Sequence, residues 1–283
     1  MNLKAECDDV LAGGADWLVD PSEYAGKVYE KDGRLVLENG LVRRELLISP
    51  DVTTWSFKCQ KTDEEYVRAL DAEAEFLLDG KWYQVGGVQG QPICNYMLED
   101  WGRDLKRCEL KDRIAGVYHY AGYEVGPIRA RFEWKRRPEW SARELDWPPK
   151  GRELTLRFTA PGPDLPKVEV HYEIYDGAPI ISKWLRLENA SARTNVIASC
   201  RSELLRLAEN HGNNDIDYVE RPNDLMVFTE LFFQEAGGIG RDLGGDYRKD
   251  DEFPTQLNYH RTRRCRYVVE PHGNFTTHLA PGA

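Results

Sequence analysis

The chain has 283 residues, enough for one large β domain or two ordinary ones. It carries 38 Lys and Arg against 48 Asp and Glu, a formal net charge of −10. An acidic surface excludes nucleic acid and anionic membranes as partners, because both require clustered positive charge; the basic runs at 135–137 and 261–266 are flanked by acidic residues and read as solvated loops.

Six cysteines, Cys7, Cys59, Cys94, Cys108, Cys200 and Cys265, form no CxxC motif and lack zinc-ligand spacing with a histidine. They read as mostly free thiols, which favours a reducing, cytoplasmic setting. The opening MNLKAECDDVLAGG has no apolar stretch of signal-peptide length, and no run approaches a membrane span. No cofactor and no metal are expected.

In chain order, residues 1–33 are mixed and read as an edge segment packed on the domain, with Trp17 as its anchor. From residue 34 the pattern is β. Strands are expected over 34–38 and 41–49 around Asn39-Gly40, over 52–58, and over 72–78 and 81–85 around Asp79-Gly80. A glycine-rich opening at 86–92 leads into a loop carrying Tyr96, Trp101 and Arg103, with a short helix or irregular crossover over 99–110. Strands follow over 117–124 and 128–134. The loop 136–151, RRPEWSARELDWPPKG, holds Trp140 and Trp147, and a long loop with large aromatics usually has a task.

A strand over 153–160 precedes the most regular stretch, VEVHYEIYDGAPIISKWLRLEN at 168–189. There Val168, Val170, Tyr172 and Ile174 alternate with Glu169, His171, Glu173 and Tyr175, the period of a strand with one face on a core. Asp176-Gly177 turns the chain, and a second strand settles after Pro179 with Trp184 and Arg186 interleaved among its residues. Further strands are expected within 195–207, with Glu203 facing outward, and over 215–219, 225–233 and 266–270. The loop at 237–252 is acidic and glycine-rich. Many strands with turn punctuation predict two large facing antiparallel sheets with minor helix.

The hairpin residues Tyr172, Glu173, Tyr175, Asp176, Gly177, Pro179, Lys183, Trp184 and Asn189 carry a resemblance. So do Asn39-Gly40-Leu41, the run Trp147-Pro148-Pro149-Lys150-Gly151, and Leu279-Ala280-Pro281-Gly282. Together they resemble the N-terminal β-domain of the α-galactosidase and raffinose-synthase clan of glycoside hydrolases, a galactose mutarotase-like β-supersandwich. The likeness spans most of 34–283. It implies a non-catalytic domain that supports carbohydrate recognition and packs on a (β/α)₈ catalytic barrel following this chain. A stand-alone carbohydrate-binding module, or a sugar mutarotase or epimerase, is the alternative. Expected partners are a galactoside-like carbohydrate and the barrel, with a homo-oligomer left open.

Carboxylates suited to glycoside hydrolysis are plentiful but unmarked: Asp100, Asp104, Glu173, Asp215, Asp217, Glu220 and Glu230. Among the histidines, His171 lies on the polar face of its strand beside Glu169 and Glu173 and reads as a surface residue. No GxSxG elbow occurs, the glycine loop fits no phosphate fingerprint, and the turn at 213–217 lacks a full calcium loop. No catalytic residue is assigned. Sugar rings pack their CH faces on flat aromatics, so Tyr96, Trp101, Arg103, Trp140 and Trp147 are the expected carbohydrate-binding or interface residues, converging as loops at one end of the fold.

Overall fold

The computed structural model describes residues 16–91, 112–135, 137, 139, 146–207, 225–229, 245–251, 265–271 and 275–283. Among them the chain forms strands and no α-helix. An opening meander holds β1 (Lys27–Lys31), β2 (Arg34–Glu38), β3 (Val42–Leu47) and β4 (Thr53–Cys59). Next come β5 (Val67–Ala69), β6 (Ala74–Leu78), β7 (Lys81–Val85), β8 (Val88–Gln89) and β9 (Asp112–Arg113). A second meander comprises β10 (His119–Pro127), β11 (Gly151–Thr159), β12 (Lys167–Tyr175) and β13 (Ile181–Glu188). The last strands are β14 (Asn195–Arg201), β15 (Glu203–Leu207), β16 (Asp246–Arg248), β17 (Arg266–Val269) and β18 (Thr277–Leu279).

These strands sort into four antiparallel sheets of four, ordered β1-β2-β3-β4, β10-β11-β12-β13, β18-β14-β6-β7 and β16-β17-β15-β5, with β8-β9 as a small ribbon. The architecture is a four-bladed β-propeller. This corrects the expected supersandwich. Among the described residues no ladder runs beyond four strands, whereas a supersandwich needs two large continuous sheets. The galactose mutarotase-like family reading falls with it. So do the role as N-terminal domain of an α-galactosidase-like hydrolase and its mutarotase alternative.

Local expectations fared differently from the global one. The hairpins at Asn39-Gly40, Asp79-Gly80 and Asp176-Gly177 all form. Asp79 and Gly80 have φ of 47° and 81°, the paired positive values of a tight hairpin turn. Residues 128–134, expected as a strand, join no ladder and cross over a blade as a strap. The expected helix at 99–110 and the strand at 215–219 lie outside the described residues.

The main apolar core serves all four blades, with two small clusters beside it. The inward faces of β11 and β12 supply Leu154, Leu156, Val168, Val170, Tyr172 and Ile174, and β2, β4, β6, β14, β15 and β17 add Leu35, Phe57, Phe76, Ile197, Leu205 and Tyr267. Burying each such side chain contributes about 1.5–3 kcal/mol. Within this core lies a charged hub. Arg44 donates to both oxygens of Glu203 at 2.6 and 3.0 Å and to Thr54 at 2.6 Å. Lys183 reaches Glu203 at 2.8 Å and the Glu73 carbonyl at 2.6 Å, while Tyr172 donates to the Glu73 carboxylate. Two cations face two anions, so the buried charge is balanced, and the members come from three blades, with Glu73 just ahead of β6 of the fourth. Glu203 therefore faces inward, against its expected outward position. Burial pushes its carboxyl upward, but Arg44 and Lys183 outweigh that and hold it at about 2.

Two buried asparagines pin turns across blades. Asn39 Nδ2 donates to the carbonyls of Tyr175 and Ala178, while its Oδ1 accepts from the backbone of Leu41 and Val42. Asn189 Nδ2 donates to Arg193 and Leu279, and its Oδ1 accepts from Ser191. Every polar atom of both side chains is thus used, which makes their burial tolerable.

Candidate functional site

Strands β11, β12 and β13 each put alternate residues on the face of their blade away from the core. Cross-strand register sets Glu153 opposite Glu173, and Glu173 opposite Ser182; in the next row Thr155 faces His171, and His171 faces Trp184. The same alternation that drives Val170 and Tyr172 inward therefore gathers a polar bed outside. Glu153, Thr155, His171 and Glu173 are nonetheless buried. The strap is what covers them: Arg129 reaches Glu153 at 3.4 Å, and the Arg131 guanidinium lies 4.4 Å from the Trp184 ring centroid.

His171 is fixed on three sides. Its Nδ1 is 3.0 Å from Glu153 and 3.1 Å from Thr155 Oγ1, and its ring stacks on Trp184 at 4.9 Å and 8°. Its Nε2 makes no hydrogen bond, with a Glu169 oxygen at 3.4 Å. This corrects its reading as a surface histidine. Glu173 accepts from Tyr175 Oη at 2.6 Å through Oε2, and Tyr175 Oη lies 2.7 Å from Ser182 Oγ. The other oxygen, Oε1, is buried without a hydrogen bond; Arg131 Nε stops 4.0 Å away. Burial raises the Glu173 carboxyl above its ordinary range, against the opposing pull of the Tyr175 hydrogen bond and the Arg131 charge. The Tyr175 hydroxyl is pushed up to about 12, by burial first and by its bond to Glu173 second. Among the described residues, no group of three His, Cys, Asp or Glu side chains is placed to hold a metal ion.

Further along the strap an aromatic ledge stands in water. Phe132 and Trp134 both pack on Trp147, at ring distances of 4.9 and 5.4 Å, and Trp147 Nε1 donates to the Phe132 carbonyl at 3.2 Å. The three are 50%, 39% and 37% exposed. Pro148 and Pro149, which follow Trp147, join Pro127, Ile128 and Gly151 in lining an open groove of about 390 Å³.

Of the five residues expected from the sequence to form a site, Trp147 is on this ledge. Tyr96, Trp101, Arg103 and Trp140 lie outside the described residues. The sequence reading missed Arg131, Phe132 and Trp134, because 128–134 passed for a strand, and it gave Trp184 no role. The signal for Trp184 was present: its place in the hairpin register puts it beside His171 on the polar face. No family model, curated protein or solved structure matches this chain.

Proposed function

We propose that this chain is a recognition domain that binds a polypeptide partner across the outer face of the β10–β13 blade. The ledge carries the reading: Phe132, Trp134 and Trp147 touch one another yet keep between a third and a half of their surface in water. Contiguous apolar surface of this kind marks interfaces, and Trp and Arg supply much of the binding energy where partners meet. The neighbouring groove is open and proline-walled, a shape suited to an extended segment rather than an enclosed small molecule. The net charge of −10 favours a basic partner.

The test is selection of a displayed peptide library on the full chain, followed by titration of the selected peptides. Trp147→Ala and Trp134→Ala are each expected to weaken binding roughly tenfold or more. The melting temperature should move by only about 2 °C, because the rings are exposed. Peptides that bind both variants as well as the parent would remove the ledge from the site. Absence of peptide binding together with Trp147-dependent binding of a galactoside would replace the polypeptide by a carbohydrate.

A further inference from the structure

The polar bed beneath the strap is not required by the ledge, and its chemistry is specific. Trp184 offers an aromatic ring, and Glu173 a carboxylate beside it. A ring and a carboxylate together recognise a guanidinium, which is planar, stacks on aromatics and donates in a fork. We infer that Trp184 and Glu173 form a guanidinium site, held by Arg131 of the strap in this structure and taken by an arginine of the partner when it binds. The inference deepens the polypeptide reading and rests on it for the nature of the partner; the site itself consists of other residues than the ledge.

Three observations support it. First, Arg131 already sits over the Trp184 ring, at 4.4 Å, within cation–π range. Second, it does not complete the site: its Nε is 4.0 Å from Glu173 Oε1, beyond hydrogen-bond reach, and that oxygen is buried with no hydrogen-bond donor. A guanidinium free of the strap's tether has no such restriction and can close that contact. Third, the receiving parts are held and the occupant is not deep. His171, locked by Glu153 and Thr155, braces Trp184, and Tyr175 holds the other oxygen of Glu173. The Arg131 side chain keeps 29% of its surface in solvent, so the guanidinium site is reached from the solvent side. The strap thus acts as an internal competitor that lowers the affinity of any outside arginine.

The experiment titrates arginine methyl ester into the full chain, followed by tryptophan fluorescence and calorimetry. Arg131→Ala is expected to bind the ester roughly tenfold more tightly than the parent, because the competitor is gone. Adding Glu173→Gln to Arg131→Ala should abolish that gain, and lysine methyl ester should bind Arg131→Ala more weakly than the arginine ester. Equal affinity of parent and Arg131→Ala, or no effect of Glu173→Gln in the Arg131→Ala background, overturns the site. If Arg131→Ala does not fold, Arg131→Gln keeps much of the packing stem and carries the same expectations. In the Arg131→Ala background, where no competitor remains, adding Trp147→Ala should leave ester binding unchanged while weakening peptide binding, so failure of the ledge and failure of the guanidinium site give different results.

Discussion

At the scale of single residues, buried charge decides what each side chain can tolerate. Glu203 answers two buried cations, Arg44 and Lys183. Removing its charge leaves them with Glu73 alone, and breaking a buried pair from one side costs about 3–5 kcal/mol. Glu203→Gln is therefore expected to lower the urea midpoint strongly, whereas Glu188→Gln, at an exposed pair with Lys167, should leave it nearly unchanged. The hub also fixes an acid response. A carboxyl held at about 2, against an ordinary 4.5, contributes stability present above 4.5 and lost as pH falls toward 2. The loss is on the order of 3 kcal/mol. Glu173 has the opposite sign. Its raised carboxyl favours the folded state below the ordinary carboxylate range and loses that contribution as pH rises through its folded value. Glu173→Gln should accordingly gain stability relative to the parent at pH 7 compared with pH 4, as measured by urea unfolding at both.

At the scale of elements, the hairpins are local but their junctions are not. Asn39 ends β2 and starts the turn to β3, yet its amide donates to the turn between β12 and β13. Asn39→Ala removes a donor from the half-buried carbonyls of Tyr175 and Ala178 and the acceptor from the buried N–H groups of Leu41 and Val42, and a loss of about 1–3 kcal/mol is expected by urea unfolding. Gly86, just past β7, shows how tightly blades approach. Its φ is +63°, and a Cβ there would stand 2.6 Å from the Val52 carbonyl oxygen. Its own N–H donates to the Tyr118 carbonyl, so the backbone has nowhere to retreat. Gly86→Ala should destabilise by about 1–3 kcal/mol in the same assay. Much at this scale was legible. Asp79-Gly80 and Asp176-Gly177 announce hairpins, and strict alternation at 168–175 sorts Val170 from His171. Residues 128–134 were not legible, because a strap that packs aromatics outside and arginines toward a polar bed has the composition of a strand.

At the scale of the whole molecule, two blades are sequential meanders and two are assembled from distant strands. Strand β6 pairs with β14, and β5 with β15. The main apolar cluster draws on all four blades, with two small clusters beside it, and the charged hub ties three blades to Glu73 at the start of β6. Cooperative unfolding follows: urea transitions followed by tryptophan fluorescence and by far-ultraviolet circular dichroism should coincide. Two separated transitions would show that the meanders β1–β4 and β10–β13 stand alone. Arg44→Met tests the same point, because losing the hub from β3 should lower both signals together.

The sequence by itself determined the β class, the hairpin turns and the two faces of the strand over 168–175. These depend on residues near one another in the chain, where φ preferences and a period of two act directly. It did not determine which strands pair beyond neighbours, and so the expectation of two broad sheets gave way to four blades. Alternation is the same in both, since a strand shows its faces and not its partner. The tertiary structure alone decided that Glu203 turns inward to Arg44, that His171 is covered, and that Arg131 meets Trp184. Each is a contact between residues far apart in sequence, fixed by packing and charge balance that no local pattern encodes.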